Sequence, residues 1–177
     1  MTIYAFEDKV PALGAGVFVA DSASVIGDVV LGDHSSVWYA SVVRADMYPI
    51  RVGKRVNIQD GAVLHVTGGI ADTVVGDDVT IGHLALVHGC HIGNRVLIGM
   101  GSIILDGAVI EDECIIAAGS LVPPRMHIPK RSFVKGSPAK VVREATDHDL
   151  LMVDAGVATY QAYAAMYASG KLRRIDP

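Results

Sequence analysis

Aliphatic residues recur at every sixth position along most of this chain, with small or polar residues between them. The register shifts after Val43, after Leu64 and after Val87, and resumes each time. The aliphatic column consists of Val19, Val25, Leu31, Val37, Val43, Val52, Ile58, Leu64, Val75, Ile81, Val87, Ile92, Ile98, Ile104, Ile110, Ile116 and Val122. Because this period is too short for a helical repeat, it predicts a mostly β fold, a single-stranded parallel β-helix of hexapeptide repeats. Three hexapeptides, about 18 residues, make one triangular coil, and coils stack at about 4.8 Å.

A different pattern follows the repeat. The column ends at Val122, and we assign residues 1–125 to the β-helix with a short lead-in. Residues 126–177 then form a proline-containing exit segment and a C-terminal α-helix that packs on the prism within the same domain. Thr146 is placed to cap this helix, which runs to about Ser169, and Gly170 is placed to stop it. The apolar stripe of the helix is Leu150, Val153, Val157, Tyr160, Ala164 and Tyr167.

Composition and charge narrow the classes of function. Of the 177 residues, 51% are hydrophobic and 19% are charged, which fits one globular domain with a sizeable core. A net charge of -4, without a block of like charge, argues against a nucleic-acid partner. The sequence has neither a signal-peptide pattern nor a run of about 18 apolar residues, so we expect no membrane partner and a cytoplasmic location. Cys90 and Cys114 are too few for a disulfide framework.

Two histidines occupy the same position of the repeat. His65 follows Leu64 and His88 follows Val87. Subtracting the register shift between them leaves one complete coil, so His65 and His88 should lie on one face, one above the other. Imidazole is the commonest neutral ligand for zinc, and this spacing therefore predicts a pair of ligands for one metal ion.

His83 falls on a different side of the prism. It lies two positions after Ile81, in the third position of a hexapeptide one face earlier than His88. It cannot easily join the histidine pair of its own chain, but a neighbouring prism packed side by side could present its His83 to that pair. The predicted site is therefore intermolecular.

The same counting sorts the nearby polar residues into two surfaces. Arg44 stands in the column below the histidine pair, and Asp60 stands below His83 with Gln59 beside it. One surface carries Arg44, Asp46, His65 and His88, and the other carries Gln59, Asp60 and His83. A cyclic homotrimer would bring the two surfaces together three times. We expect Arg44 and Asp60 to form an ion pair between subunits that orients the site.

The motifs RAD at 44–46, NIQD at 57–60, LHV at 64–66 and IGHLALVHGCHIG at 81–93 resemble the γ-class carbonic anhydrase family, and the likeness extends from about Ala5 to Arg143. The resemblance implies a left-handed β-helix and a homotrimer with three interfacial zinc sites that hydrate carbon dioxide to bicarbonate. It implies that His65 and His88 come from one chain and His83 from the next. It assigns Gln59 to hydrogen bonding near the reacting water, and Arg44, Asp46 and Asp60 to the interface. The C-terminal helix of the family can bring a tyrosine to the site, and Tyr160 fits that position or is simply a packed aromatic.

Several alternatives stay open at this stage. Neutral imidazoles suit Fe(II) and Co(II) as well as zinc. Met47 follows Asp46, and the loop after His65 carries only Asp72, whereas the best-studied type of the family has acidic residues there to export protons. This departure argues against high hydration activity. Two other functions fit the same predicted fold. One is a CoA-dependent acyltransferase of the hexapeptide-repeat class, and the other is a non-catalytic, metal-binding accessory trimer.

Overall fold

The protein is a parallel β-solenoid of about 7 turns followed by one C-terminal helix, as the repeat predicts. The computed structural model describes residues 2–171 and 175, so residue 1 of the range 1–125, and residues 172–174, 176 and 177 of the range 126–177, lie outside the described residues. The strands are β1 (Thr2–Tyr4), β2 (Ala12–Leu13), β3 (Phe18–Val19), β4 (Ser24–Leu31), β5 (Ser36–Val37), β6 (Val42–Val52), β7 (Asn57–Ile58), β8 (Val63–His65), β9 (Thr73–Val75), β10 (Thr80–Ile81), β11 (Leu86–His88), β12 (His91–Ile92), β13 (Leu97–Ile98), β14 (Ile103–Ile104), β15 (Val109–Ile110), β16 (Ile115–Ile116), β17 (Leu121–Val122), β18 (His127–Ile128), β19 (Ser132–Gly136) and β20 (Ala139–Glu144).

The strands stack into three faces. Face one contains the first halves of β4 and β6, then β8, β11, β14 and β17. Face two contains the second halves of β4 and β6, then β9, β12, β15 and β18. Face three contains β3, β5, β7, β10, β13, β16 and β19, with β20 antiparallel to β19. The long strands β4 and β6 each pass round the corner between faces one and two.

The aliphatic column fills the inside of the prism, as predicted. All of its members are buried, and the free thiols of Cys90 and Cys114 are buried as well. The expectation that the repeat ends at Val122 is wrong, because Ile128 and Val134 continue the same column at the same period. Strand β18 pairs with β15, and β19 pairs with β16. Pro123 and Pro124 lie just after β17 rather than inside a strand, so they remove no hydrogen bond from the stack.

The C-terminal helix α1 (Asp147–Met166) packs against face three of the prism. Thr146 caps it, and Asp149 completes a reciprocal capping box. A π-helical turn, Tyr167–Lys171, follows, and Gly170 ends it with a φ of 77°. The helix lies against β5, β7 and β10 and buries Leu150, Val153, Val157 and Ala164. Among the described residues no helix is long and apolar enough to cross a membrane.

The residue directly before each buried aliphatic points outward, and the three faces differ in the side chains at this position. The helix covers face three. Face two presents a mixed column, Arg51, Val74, His91, Val109 and His127. From β6 to β17, face one presents only aliphatic residues at this position, Val42, Val63, Leu86, Ile103 and Leu121, and β4 next to Val42 presents Ser24. We call this set of five aliphatic residues the face-one column, and within the described part of the chain helix α1 lies against face three instead.

Candidate metal centre

His65 and His88 lie in register on neighbouring strands of face one. The backbone pairing of His88 with His65 confirms the coil count made from the sequence. Nδ1 of His65 lies 3.1 Å from Nε2 of His88. Zinc–nitrogen distances of about 2.0–2.1 Å in a tetrahedral site imply ligand nitrogens about 3.3 Å apart. The two imidazoles are therefore spaced as two ligands of one metal ion.

The far nitrogen of each imidazole faces a carboxylate. Nε2 of His65 is 3.2 Å from Oδ1 of Asp46, and Nδ1 of His88 is 2.6 Å from Oδ1 of Asp106. Arg44 forms an ion pair with Asp46, and the Thr67 hydroxyl donates to Oδ2 of Asp106 over 2.7 Å. Burial alone would raise the pKa of both carboxyl groups, but these hydrogen bonds outweigh it and hold the pKa of Asp46 and of Asp106 below the usual value. Both side chains are therefore ionised at neutral pH and act only as acceptors.

This hydrogen-bond network assigns the protons on the histidine pair. Burial lowers the pKa of His65 despite the opposing hydrogen bond to Asp46, so its ring is neutral at neutral pH. A ligand imidazole is neutral and carries one N–H, and when each ring donates that N–H to its carboxylate, the nitrogens that face each other carry lone pairs. Two lone pairs 3.1 Å apart are matched by a cation placed between them. The donor set of the pair, with a carboxylate behind each imidazole, thus fits a divalent metal.

His83 lies apart from this pair, at the corner that follows β10 on face three, as the coil count predicts. Its Nδ1 is 3.1 Å from Oδ2 of Asp60, and its Nε2 is 3.3 Å from the hydroxyl of Tyr160 on helix α1. Within residues 2–171 and 175 of one chain, no group of three His, Cys, Asp or Glu side chains is arranged to hold a metal. The histidine pair and His83 are therefore two separate clusters in one chain, and we call each of them a half-site of the predicted centre.

Gln59 and Tyr160 both belong to the His83 half-site. The backbone N–H of His83 donates to Oε1 of Gln59 over 3.2 Å, and Nε2 of Gln59 donates to Oδ1 of Asn57 over 3.0 Å. Gln59 is only 5% exposed, so its amide is held firmly in the wall of the prism. Tyr160 also packs edge-on against Trp38, with ring centroids 5.3 Å apart. Burial raises the pKa of Tyr160, which therefore keeps its hydroxyl proton at neutral pH.

Within one chain, Arg44 and Asp60 do not meet. Arg44 is paired with Asp46, and Asp60 with His83, so the expected ion pair between Arg44 and Asp60 stays a prediction about assembled subunits. Asp72 does not face the histidine pair either, because its carboxylate lies 2.8 Å from Nε2 of His91 on face two. Met47 is exposed and packs beside Gly68.

Sequence reasoning missed Asp106, Thr67 and Gly89. Asp106 comes from the coil after His88, two positions beyond the buried Ile104, and Thr67 comes from the loop after His65. Asp106 occupies the same third position of the hexapeptide as Asp60 and His83, but the prediction of site residues ends with the coil of His88, and the loop of Thr67 lies outside the repeat. One sequence signal for this contact was Gly89, which directly follows His88. A residue without a side chain at that position leaves room for a carboxylate beside the ring.

Comparison with known proteins gives this arrangement a family context. Residues 89–124 match the family model described as "Bacterial transferase hexapeptide (six repeats)". The chain is 45% identical over 148 residues to a Geobacillus kaustophilus protein named "Carbonic anhydrase", with 84% of this chain and 81% of that protein covered. It is 42% identical over 167 residues to "Gamma carbonic anhydrase 2, mitochondrial" of Arabidopsis thaliana, with 92% of this chain and 60% of that protein covered. A solved structure titled "hexapeptide transferase family protein from Anaplasma phagocytophilum" has a TM-score of 0.90 at 37% identity and covers 94% of this chain and 98% of that one.

Stacked hexapeptide coils define a hexapeptide-repeat protein, and face one of this one carries two histidines in register. The chain belongs to the γ-class carbonic anhydrase-like family of hexapeptide-repeat proteins. It spans only about three fifths of the length of the two Arabidopsis relatives that it matches, 60% of one and 63% of the other.

Proposed function

We propose that this protein is a γ-carbonic anhydrase-like metalloenzyme that hydrates carbon dioxide to bicarbonate at sites shared between the subunits of a homotrimer. The observation that carries the proposal is the histidine pair, with facing nitrogens 3.1 Å apart and a carboxylate behind each ring. His65 and His88 of one chain and His83 of the next would hold the metal. The relatives named as carbonic anhydrases support this reaction class.

Two features of the single chain support the trimer. The histidine pair and His83 lie on different faces, so a cyclic arrangement is needed to bring them to one metal. The face-one column offers an apolar surface next to the pair, since Leu86 and His88 point outward from the same strand. A contiguous, partly exposed apolar surface of this kind is typical of an interface between proteins.

The residues of the chain have distinct roles in this proposal. A metal held by three imidazoles supplies hydroxide from water at neutral pH. Asp46 and Asp106 orient the imidazoles of the pair, and Asp60 does the same for His83. Gln59 would form hydrogen bonds near the reacting water, and Tyr160 would approach the site beside His83. Arg44 joins the two surfaces by pairing with Asp60 of the next subunit.

We propose zinc as the metal, with Fe(II) and Co(II) as alternatives, because neutral imidazoles bind all three. We also propose a low rate of hydration. The exposed Met47 offers no carboxylate for proton export, and Asp72 is paired with His91 on another face. The cytoplasm is the proposed location.

Carbon dioxide hydration, measured by stopped flow across pH with and without a chelator, tests the proposal. We expect a rate that rises with pH through neutrality and that disappears when the chelator removes about one metal ion per chain. A chelator-insensitive rate, or a metal-free protein, would contradict it. Bound metal without any hydration would favour the accessory trimer.

A CoA-dependent acyltransferase is the second candidate, because the matching family model and the Anaplasma structure carry the name transferase. Such enzymes use one histidine as a general base rather than three as ligands. Acetyl transfer that persists after chelation, in protein without metal, would favour this candidate over the hydratase.

A further inference from the structure

Asp106 links two segments of the chain to His88. Its Oδ1 accepts from Nδ1 of His88 over 2.6 Å, and its Oδ2 accepts from the hydroxyl of Thr67 over 2.7 Å. Thr67 lies in the loop after β8, His88 ends β11 and Asp106 follows β14. Thr67 therefore holds the carboxylate from two coils below, and the carboxylate contacts His88 in the coil between them. Both carboxylate oxygens are engaged, which prevents the side chain from turning away from His88.

Gly89 provides the space for this carboxylate. A Cβ atom at position 89 would lie 2.4 Å from Oδ1 of Asp106 and 2.9 Å from Cβ of Ala71. The φ of Gly89 is +55°, in the left-handed region that favours glycine. The backbone next to His88 is therefore shaped to let Asp106 reach the ring.

We infer that Asp106, supported by Thr67 and by the space at Gly89, is the positioning residue that keeps the proton of His88 on Nδ1 and turns Nε2 toward the metal. An ionised carboxylate only accepts hydrogen bonds, so it selects the Nδ1–H tautomer of the neutral ring. Carboxylates behind ligand histidines typically change metal affinity by about 10–100-fold. The inference rests on the proposed function for its metal, but the tautomer is a property of the chain alone.

The test compares Asp106→Leu with Asp72→Leu. Asp72 is a matched control, because it also faces a histidine, His91, over 2.8 Å, but on face two. Nitrogen-15 NMR of histidine-labelled, metal-free protein reads the tautomer of each ring. We expect Asp106→Leu to abolish the dominant Nδ1–H form of His88 and Asp72→Leu to leave it unchanged.

Zinc affinity, measured by competition with a chromogenic chelator, is the second readout. We expect a loss of about 10–100-fold in Asp106→Leu and no loss in Asp72→Leu. Asp106→Asn keeps an acceptor oxygen and should restore part of the loss. An unchanged tautomer in Asp106→Leu, with zinc affinity within about twofold of wild type, would overturn the inference.

Thr67→Val keeps the test decisive if Asp106→Leu does not fold. It removes the hydroxyl that fixes Asp106 without changing the shape of the side chain, and Thr67→Ser should restore it. In Thr67→Val we expect a smaller loss of zinc affinity than in Asp106→Leu, and a mixture of the two His88 tautomers. A wild-type protein that binds no zinc would refute the proposed function, yet its His88 tautomer would still decide the role of Asp106.

Discussion

Faces one and two carry the same local chemistry and differ in what lies above and below it. Each has a histidine that contacts a carboxylate, His88 with Asp106 at 2.6 Å and His91 with Asp72 at 2.8 Å. On face one, the residue in register below His88 is His65. On face two, the residues in register with His91 are Val74 and Val109. A histidine–carboxylate pair is therefore common to both faces, and only the vertical register makes one of them a candidate metal centre.

The outward aliphatic residues repeat this contrast. Ile103 on face one and Val109 on face two are equally exposed in the single chain, at 38% and 39%. Ile103 stands between Leu86 and Leu121, whereas Val109 stands between His91 and His127. An isolated apolar residue on a surface needs no partner, but a continuous column does. In this fold, therefore, a functional surface is recognised by which residues stack in register on successive coils, and not by a single residue on one coil.

The largest expected effect comes from replacing His88 on face one, with His91 on face two as the comparison. His88→Ala should abolish binding of about one transition metal per chain, because a site with three protein ligands requires each of them. His91→Ala should leave the metal content unchanged. Elemental analysis of the purified variants measures both. Full metal content in His88→Ala would refute the assignment of the pair.

Paired charge substitutions in the outward columns are expected to have the next largest effect. Ile103→Asp places a carboxylate in the apolar face-one column, and an unpaired charge buried at an interface costs several kcal/mol. We expect at least a hundredfold weaker association, visible as dissociation of the trimer by sedimentation at micromolar concentration. Val109→Asp should sediment as wild type. Equal behaviour of the two variants would remove face one as the interface.

Much of the fold follows from the sequence because a solenoid repeats one local rule. The spacing of aliphatic residues fixes which strands stack, and once the register shift after Leu64 is subtracted it places His65 beside His88. The prolines after Val122 led to the wrong prediction that the repeat ends there. Those prolines occupy a corner, where no strand hydrogen bond is lost, and Ile128 and Val134 continue the column.

The supporting residues of the site were harder to predict. The reach of Asp106 to His88 depends on a side-chain conformation and on empty space at Gly89, neither of which has a period. The approach of Tyr160 to His83 depends on how helix α1 settles on face three. The apolar stripe of the helix predicts that it packs on the prism, but it does not predict which tyrosine contacts His83.

Mixed trimers test whether the two half-sites come from different chains. Trimers made only of His65→Ala chains, or only of His83→Ala chains, have every site broken. A cyclic trimer that contains both variants has one interface where an intact pair meets an intact His83. Refolding the two variants together should restore metal binding to at most about one third of the wild-type level. No recovery, in samples shown by mass spectrometry to contain mixed trimers, would mean that each chain builds its own site.

The smallest expected effect concerns the ion pair proposed between Arg44 and Asp60 of the next subunit. Arg44→Ala leaves Asp60 at the interface without that partner, although His83 of its own chain still contacts it. The side chain of Arg44 is 42% exposed in the single chain, so the cost should lie below the roughly 3–5 kcal/mol of a fully buried pair. We expect about tenfold weaker association, with metal retained in the trimers that remain. Arg51→Ala, on face two, is the matched control, and sedimentation at low concentration separates the outcomes. Association as tight as wild type in Arg44→Ala would show that apolar contacts along the face-one column, rather than this charge pair, hold the two half-sites together.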